Sequence, residues 1–145
     1  MRVIRNDGSE YNEEITVQVI NPIESTGVIT VNPNQTVDFD KGVIPGNDFL
    51  WNVQAITRTF EIQSGAQIAP MRVVGDLEDI ALSECANANY GQYTFIDASD
   101  NIADPNNGLV AGRAACYRTN EGRLGKMRFP AYSTGALNVE WLTWR

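Results

Sequence analysis

Turn-forming residues interrupt this chain of 145 residues at short intervals, and this spacing constrains its fold more than any other feature. Such residues cluster at Asn6-Asp7-Gly8, Asn21-Pro22, Asn32-Pro33-Asn34, Asp40-Lys41-Gly42 and Pro45-Gly46-Asn47. Glycine, proline, asparagine and aspartate tolerate or preset the dihedral angles of turns. The segments between the clusters are too short for long helices, so we expect them to be strands.

The segments between the turns carry strand-like patterns. Residues 14–20 (EITVQVI) alternate strictly, which places Ile15, Val17 and Val19 on one face. Further strands are predicted at 3–4, 27–31, 36–39, 67–74, 90–96, 109–119, 123–129 and 137–144. Pro70 has no backbone N–H to donate, so we expect it on an edge strand or at a bulge.

Two segments are ambiguous. In 48–63 the spacing of Phe49, Val53, Ile56 and Phe60 fits a helix that Asp48 would cap, whereas the threonines of its second half favour a strand. We predict a strand for the second half and leave the first half open. Residues 79–83 fit either a short strand or a helical turn.

The pattern as a whole predicts one all-β domain over residues 1–145. Its architecture is expected to be an antiparallel β-sandwich, of the jelly-roll or immunoglobulin-like kind, or a barrel, with about 8–10 short strands. The chain is long enough to bury a core without a metal. No stretch approaches the roughly 20 apolar residues of a membrane span.

Charge is segregated along the chain. Residues 113–145 hold 6 of the 11 Lys and Arg residues and 2 of the 18 acidic residues, for a net charge of 6 − 2 = +4. Residues 1–112 hold the remaining 5 basic and 16 acidic residues, for a net charge of −11, and the two parts sum to −7. An acidic chain repels polyanions, so nucleic acid is not an expected partner.

The basic part contains a predicted hairpin around Asn120-Glu121-Gly122. If Arg118 faces Arg123 across the turn, Ala114, Cys116 and Met127 share the core face, with Val139 and Trp141 of the last strand as further core residues. The opposite face then holds Arg113, Tyr117, Lys126 and Arg128. A glycine bulge in the turn would shift this pairing by one residue. We interpret the second face as a contact surface for an acidic partner; the alternative is a solvated face neutralised by acids of the same domain.

Oxygen ligands for a metal are concentrated in the loop 97–108 (DASDNIADPNNG). Its candidate calcium ligands are Asp97, Asp100, Asn101, Asp104 and Asn106. The spacing differs from that of an EF-hand, and such residues are also common in ordinary loops. A weaker set is Asn32, Asn34, Asp38 and Asp40. No cofactor is required by the sequence, and calcium is the one metal it suggests.

Aromatic and amide side chains suggest a sugar site. The candidates are Asn87, Asn89, Tyr90, Tyr93 and Trp144, because aromatic faces beside amides form amphipathic platforms. The alternative is that these aromatic residues fill the core or contact other subunits. Trp144 is out of phase with Trp141, so only one of the two can share the face of Leu137 and Val139.

Cys85 and Cys116 are the only cysteines. A disulfide between them would close a loop of about 30 residues and contribute roughly 3 kcal/mol. The alternative is two free thiols, which the missing export signal favours. With no His and no CxxC spacing, a zinc site is not expected.

Catalytic motifs are missing from the sequence. Without His there is no Ser/His/Asp or Cys/His arrangement, and no nucleophile-elbow, phosphate-loop or dinucleotide motif is present. A glycosidase pair among Asp97, Asp100 and Asp104 is the one catalytic alternative. We therefore predict a protein that is not an enzyme.

Two functions remain from different classes. The first is a structural subunit that self-associates or docks on a scaffold in a larger assembly, such as a virus particle, a phage tail or decoration layer, or a filament. The second is a carbohydrate-binding or adhesive module, with calcium as an optional ligand. The N-terminus lacks the apolar region of a signal peptide, so we expect a virion or an extracellular assembly reached without that signal.

Overall fold

The computed structural model describes residues 2–4, 10–12, 22–54, 58–96, 108–130 and 135–145. Their elements, in chain order, are β1 (Arg2–Ile4), β2 (Glu10–Asn12), β3 (Ile23–Val31), β4 (Thr36–Val37), β5 (Phe49–Val53), β6 (Arg58–Ile62), β7 (Gln67–Val73), a 3₁₀ turn (Leu77–Asp79), α1 (Leu82–Ala86), β8 (Phe95–Ile96), β9 (Arg113–Arg118), β10 (Leu124–Arg128) and β11 (Leu137–Trp144). None of the helices in these ranges is long and apolar enough to cross a membrane.

The strands form antiparallel sheets. The larger sheet has five strands in the order β3-β11-β10-β9-β7, and the second has four in the order β4-β5-β6-β8. β1 and β2 form a separate two-stranded pair that places Arg2 opposite Asn12. The two larger sheets pack face to face, which confirms the prediction of a β-sandwich.

The main core lies between the two larger sheets. The four-stranded sheet contributes Phe49, Trp51 and Phe60, and the five-stranded sheet contributes Tyr117 and Trp141, among others. These aromatic rings pack against one another, with the centroids of Phe49 and Phe60 5.1 Å apart. Alternation along β5 and β11 produces this core, because every second side chain of a strand points to the same face.

A second, smaller apolar cluster covers the outer face of the five-stranded sheet. The connection from β7 to β8, which contains the 3₁₀ turn and α1, lays Ile80 and Cys85 over Ala114, Cys116 and Trp144. A disulfide joins Cys85 to Cys116, with their Cα atoms 5.2 Å apart. Of the two alternatives for the cysteines, the structure therefore shows the bonded one. Trp141 lies in the main core and Trp144 in this cluster, as their phase difference predicts.

The hairpin between β9 and β10 differs by one residue from the predicted pairing. Arg118 pairs with Leu124, not with Arg123, and Tyr117 pairs with Gly125. The backbone N–H of Thr119 donates to the carbonyl of Arg123 at 2.9 Å, and Gly122 takes a φ of 85° that favours glycine. The turn thus holds one more residue than the predicted pairing allowed, and a shift of one residue moves every side chain of one strand to the opposite face.

Several other predictions can be compared with the described residues. Both halves of 48–63 contain a strand, β5 and β6, so the helical interpretation is wrong. Pro70 lies on the edge strand β7, beside a register shift between Pro70 and Val73, as predicted. Of the segment 90–96 only Phe95–Ile96 is a strand, while Gly91 forms a single bridge to Ile68. The predicted strand 14–20 lies outside the described residues.

Candidate functional site

The predicted contact surface on the hairpin is wrong, because its four side chains turn inward. Arg113, Tyr117 and Lys126 are buried, and the side chain of Arg128 is only 14% exposed. The one-residue shift places Lys126 opposite Cys116 and places Tyr117 beside Met127 in the main core. Since buried side chains offer no surface to another chain, this group cannot be the docking patch.

The two buried cations, Arg113 and Lys126, and the largely buried Arg128 serve the fold by binding backbone carbonyls. Lys126 Nζ donates to the carbonyl of Ile80 at 2.9 Å and lies 5.7 Å from the centre of the Trp144 ring. Arg113 donates to the carbonyls of Gly108 and Met71, and Arg128 donates to the carbonyl of Val74 and pairs with Glu140. The charges thereby hold the β7–β8 connection and neighbouring loops against the five-stranded sheet.

Tyr117 is fully buried, and its hydroxyl lies 2.6 Å from Thr143 Oγ1. Burial raises the pKa of Tyr117 well above its usual value, although the hydrogen bond with Thr143 partly opposes this effect. Its ring lies over Gly125, where a Cβ atom would overlap the ring. Tyr117 is therefore a packing residue and not a contact residue.

A different set of cations lines an open groove beside the hairpin, which we call the arginine groove. It has a volume of about 480 Å³, and its lining includes Leu82, Arg118, Arg123, Leu124, Trp144 and Arg145. α1, the β9–β10 turn and the end of β11 meet here. The one-residue shift brings Arg118 and Leu124 opposite each other at the edge of the groove.

Each arginine of the groove has a neighbour that positions it. The guanidinium of Arg118 stacks over the ring of Tyr90, 4.8 Å from its centroid. Arg123 pairs with Asp40 at 3.1 Å and with Glu121, and Arg145 pairs with Glu24 at 3.0 Å. No carboxylate of the described residues lies within ion-pair distance of Arg118. The groove is thus lined by apolar side chains, by three arginines and by the carboxylate of Glu121.

A second groove, which we call the tyrosine groove, lies between β7 and the segment after α1. It has a volume of about 550 Å³, and its lining includes Met71, Arg72, Glu84, Asn89, Tyr93 and Arg113. Arg72 Nη1 donates to Glu84 Oε1 at 2.6 Å, and this hydrogen bond lowers the pKa of the Glu84 carboxyl. Tyr93 is 41% exposed, so its ring is accessible from solvent.

The structure brings together two of the five residues predicted for a sugar site. Asn89 and Tyr93 line the tyrosine groove. Asn87 instead ends α1, where its side chain donates to the carbonyl of Ser83, and the Tyr90 hydroxyl donates to the carbonyl of Cys85 at 2.7 Å. Trp144 is largely buried and belongs to the arginine groove. The predicted set is therefore divided between two places.

Three buried aspartates meet at the end of the sandwich where the β4–β5 connection contacts the β9–β10 hairpin. One carboxylate oxygen from each of Asp38, Asp40 and Asp48 lies within 4.8 Å of the others, and we call this group the aspartate cluster. All three residues are at most 4% exposed. The weaker metal set included Asp38 and Asp40, but Asp48 was interpreted only as a helix cap.

Backbone amides hold two members of the aspartate cluster in place. Asp38 Oδ1 accepts from the N–H groups of Asp40 and Lys41, which forms a tight turn. Asp48 Oδ2 accepts from Phe39 at 2.7 Å, and Asp48 Oδ1 accepts from Asn120 of the hairpin at 2.8 Å. The pKa of Asp48 is raised to about 6, mainly by burial and also by the neighbouring Asp40 and Asp38, against the lowering effect of the two amide hydrogen bonds.

The stronger calcium candidate, formed by Asp97, Asp100, Asn101, Asp104 and Asn106, lies outside the described residues. It stays a prediction. Comparison with known proteins adds no further assignment, since no protein-family model, curated protein or solved structure matches the chain.

Proposed function

We propose that the chain is a structural subunit without catalytic activity, which docks on a second copy of itself through the arginine groove in a larger assembly. The observation that carries this proposal is the groove itself, in which the partly buried Arg118 and Arg123 and the exposed Arg145 lie beside apolar side chains. Virus particles, phage tails or decoration layers, and filaments are built from subunits of this kind.

The composition of the groove suits a protein interface. Arginine is enriched where protein surfaces meet, because it combines apolar contact area with hydrogen-bonding groups. The partly exposed Leu82 and Leu124 supply apolar area, and Arg118 and Arg145 supply donors. Stacking on Tyr90 limits the conformations of Arg118 before binding, which reduces the entropy lost on contact.

The expected occupant is an acidic surface of the second copy. Residues 1–112 carry a net charge of −11 and the rest of the chain carries +4, so opposite charges are available on every copy. The total charge of −7 opposes long-range approach. At about 0.15 M salt this repulsion is screened beyond roughly 8 Å, so the local pairing of charges decides the outcome.

Sedimentation equilibrium across protein concentration tests the proposal. We expect self-association at about 0.15 M salt that weakens toward about 1 M salt, where charge pairs are screened within roughly 3 Å. Arg118→Gln should weaken association about fivefold, as expected for losing roughly 1 kcal/mol of charge pairing. Arg72→Gln, which removes one arginine charge outside the groove, is the matched control and should leave association unchanged.

A monomer under every condition would refute docking on a second copy, and docking on a different scaffold would then have to be sought. Association that Arg118→Gln leaves intact would place the contact elsewhere on the domain. Neither result depends on calcium if EDTA is present throughout.

Carbohydrate binding is the second candidate, and the tyrosine groove favours it. An exposed aromatic ring, an amide and an ion pair of Arg72 with Glu84 can stack on a sugar ring and bind its hydroxyl groups. A glycan array with the wild type and with Tyr93→Ala tests this function. Binding that Tyr93→Ala abolishes would support it; binding that also requires calcium would implicate the loop 97–108.

A further inference from the structure

The aspartate cluster carries more negative charge than its neighbours neutralise. Arg123 Nη1 lies 3.1 Å from Asp40 Oδ1, but the same guanidinium also pairs with Glu121. Lys41 Nζ lies 3.7 Å from Asp38 Oδ2 and is 65% exposed. Three carboxylates buried against one shared arginine and one solvated lysine leave an excess of negative charge, which is costly in a buried position.

Asp40 provides a second and independent observation. Its side chain is 1% exposed and pairs with Arg123, and the Thr119 side chain also lies beside it, yet neither carboxylate oxygen accepts a well-aligned hydrogen bond from the described part of the chain. Buried carboxylates almost always accept hydrogen bonds or bind metals. One carboxylate oxygen of Asp40 lies within 4.8 Å of an oxygen of Asp38 and of an oxygen of Asp48.

The other two carboxylates retain free positions for a ligand. Each oxygen of Asp48 accepts one backbone amide, and a carboxylate oxygen has a second lone pair available. Asp38 Oδ2 contacts Lys41 Nζ at 3.7 Å, longer than the amide contacts of Asp38 Oδ1. The backbone amides therefore orient the carboxylates without using up their capacity as ligands.

We propose that Asp38, Asp40 and Asp48 bind one divalent cation of the calcium type. Hard oxygen ligands exclude the metals that prefer sulfur or imidazole, and three carboxylates in irregular connections suit the flexible coordination of Ca²⁺ better than the strict octahedron of Mg²⁺. The remaining coordination positions would be taken by water. No ligand in this proposal comes from the loop 97–108.

Bound calcium would hold the two sheets together at one end of the sandwich. Asp38 and Asp40 follow β4 and Asp48 precedes β5, while Asp48 accepts from Asn120 in the hairpin of the other sheet. A ligand that binds the folded chain only adds to its stability in proportion to its concentration and affinity. Calcium should therefore raise the melting temperature.

Thermal unfolding with and without millimolar CaCl₂, after removal of metals by EDTA, tests the site. We expect a higher melting temperature with calcium for the wild type and a smaller increase with MgCl₂. Asp40→Asn should weaken calcium binding by about tenfold or more, because the loss of even an outer-shell partner of a metal ligand costs roughly 10- to 100-fold in affinity. Glu78→Gln, which removes one carboxylate charge at an exposed position outside the aspartate cluster, is the matched control and should respond as the wild type does.

A second variant protects the test from a folding defect. In Asp38→Asn the amide oxygen can still accept from the N–H groups of Asp40 and Lys41, so the turn is preserved while a ligand charge is lost. This variant should fold and lose the calcium response. Metal binding can be followed with terbium in place of calcium, because a nearby tyrosine sensitises terbium luminescence. The Tyr117 ring lies 5.1 Å from the ring of Phe39, which stands between Asp38 and Asp40 in the sequence.

The outcomes are decisive in both directions. A calcium response lost in Asp40→Asn and Asp38→Asn and kept in Glu78→Gln supports the site. No response in the wild type, or a response that survives both cluster variants, overturns it.

Discussion

Cys116 of β9 is bonded to Cys85 of α1, so the helix that covers the outer face of the five-stranded sheet is fastened to the interior of that sheet. The bond closes a loop with a sequence separation of 31 residues. It stabilises the fold mainly by restricting the unfolded chain.

Replacing both cysteines, Cys85→Ala with Cys116→Ala, should lower the free energy of unfolding by about 3 kcal/mol. Urea unfolding of the double variant and of the oxidised wild type measures this difference. A reducing agent should lower the midpoint for the wild type and leave that of the double variant unchanged. Equal midpoints for the two proteins without reductant would contradict the prediction.

Gly125→Ala should destabilise the domain by about 2 kcal/mol or more, because the added Cβ would overlap the ring of Tyr117 in a close-packed core. Gly75→Ala is the control, since nothing lies within 4 Å of a Cβ at that position. Chemical unfolding of both variants provides the comparison. Equal stability of the two variants would show that Tyr117 does not lie over Gly125.

Lys126→Met should lower the stability of the fold and leave self-association unchanged. The substitution keeps the apolar chain but removes the hydrogen bond to the buried carbonyl of Ile80, at a cost of about 1–3 kcal/mol. Self-association at a temperature where the variant is folded should stay as in the wild type. Weakened association with unchanged stability would instead restore Lys126 as a contact residue.

Alkaline pH should destabilise the fold through its buried tyrosines. Burial raises the pKa of Tyr90 to about 12 and that of Tyr117 well above its usual value. Above about pH 10 the unfolded chain loses tyrosine protons that the folded chain keeps, so the free energy of unfolding falls as pH rises.

Tyr117→Phe should make this decline with pH shallower, and Thr143 keeps a partner because its hydroxyl also donates to the carbonyl of Phe39. Tyrosinate absorbance measured together with circular dichroism shows when the tyrosines ionise. Ionisation of every tyrosine before unfolding would refute the burial of Tyr117.

Turn chemistry made most of the strands predictable from the sequence, because clusters such as Asn32-Pro33-Asn34 favour turns, and β3 ends at Val31 just before this one. The faces of the hairpin were not predictable to the same degree. Gly122 accommodates one additional residue in the turn, and that residue moved Tyr117 into the core and Lys126 under the 3₁₀ turn. The sequence of a strand shows which residues alternate, but the number of residues in the turn decides which of the two sets faces the core.

The aspartate cluster depends on contacts between distant residues. Asp38 and Asp48 come together only when β4 pairs with β5, and the amide of Asn120 arrives from the other sheet. A lone Asp before an apolar segment is more typical of a helix cap, so the sequence pattern around Asp48 does not indicate a metal ligand. Two of its three members were nevertheless present in the weaker metal set.

Docking through the arginine groove is the central claim, and concentration-dependent NMR shifts of backbone amides test it most directly. As the protein is concentrated at moderate salt, the largest shifts should fall on groove residues, in particular Gly122, Leu124 and Arg145, and should disappear in Arg118→Gln. Shifts confined to another face, such as the edge strand β3, with the groove amides unchanged, would contradict the claim.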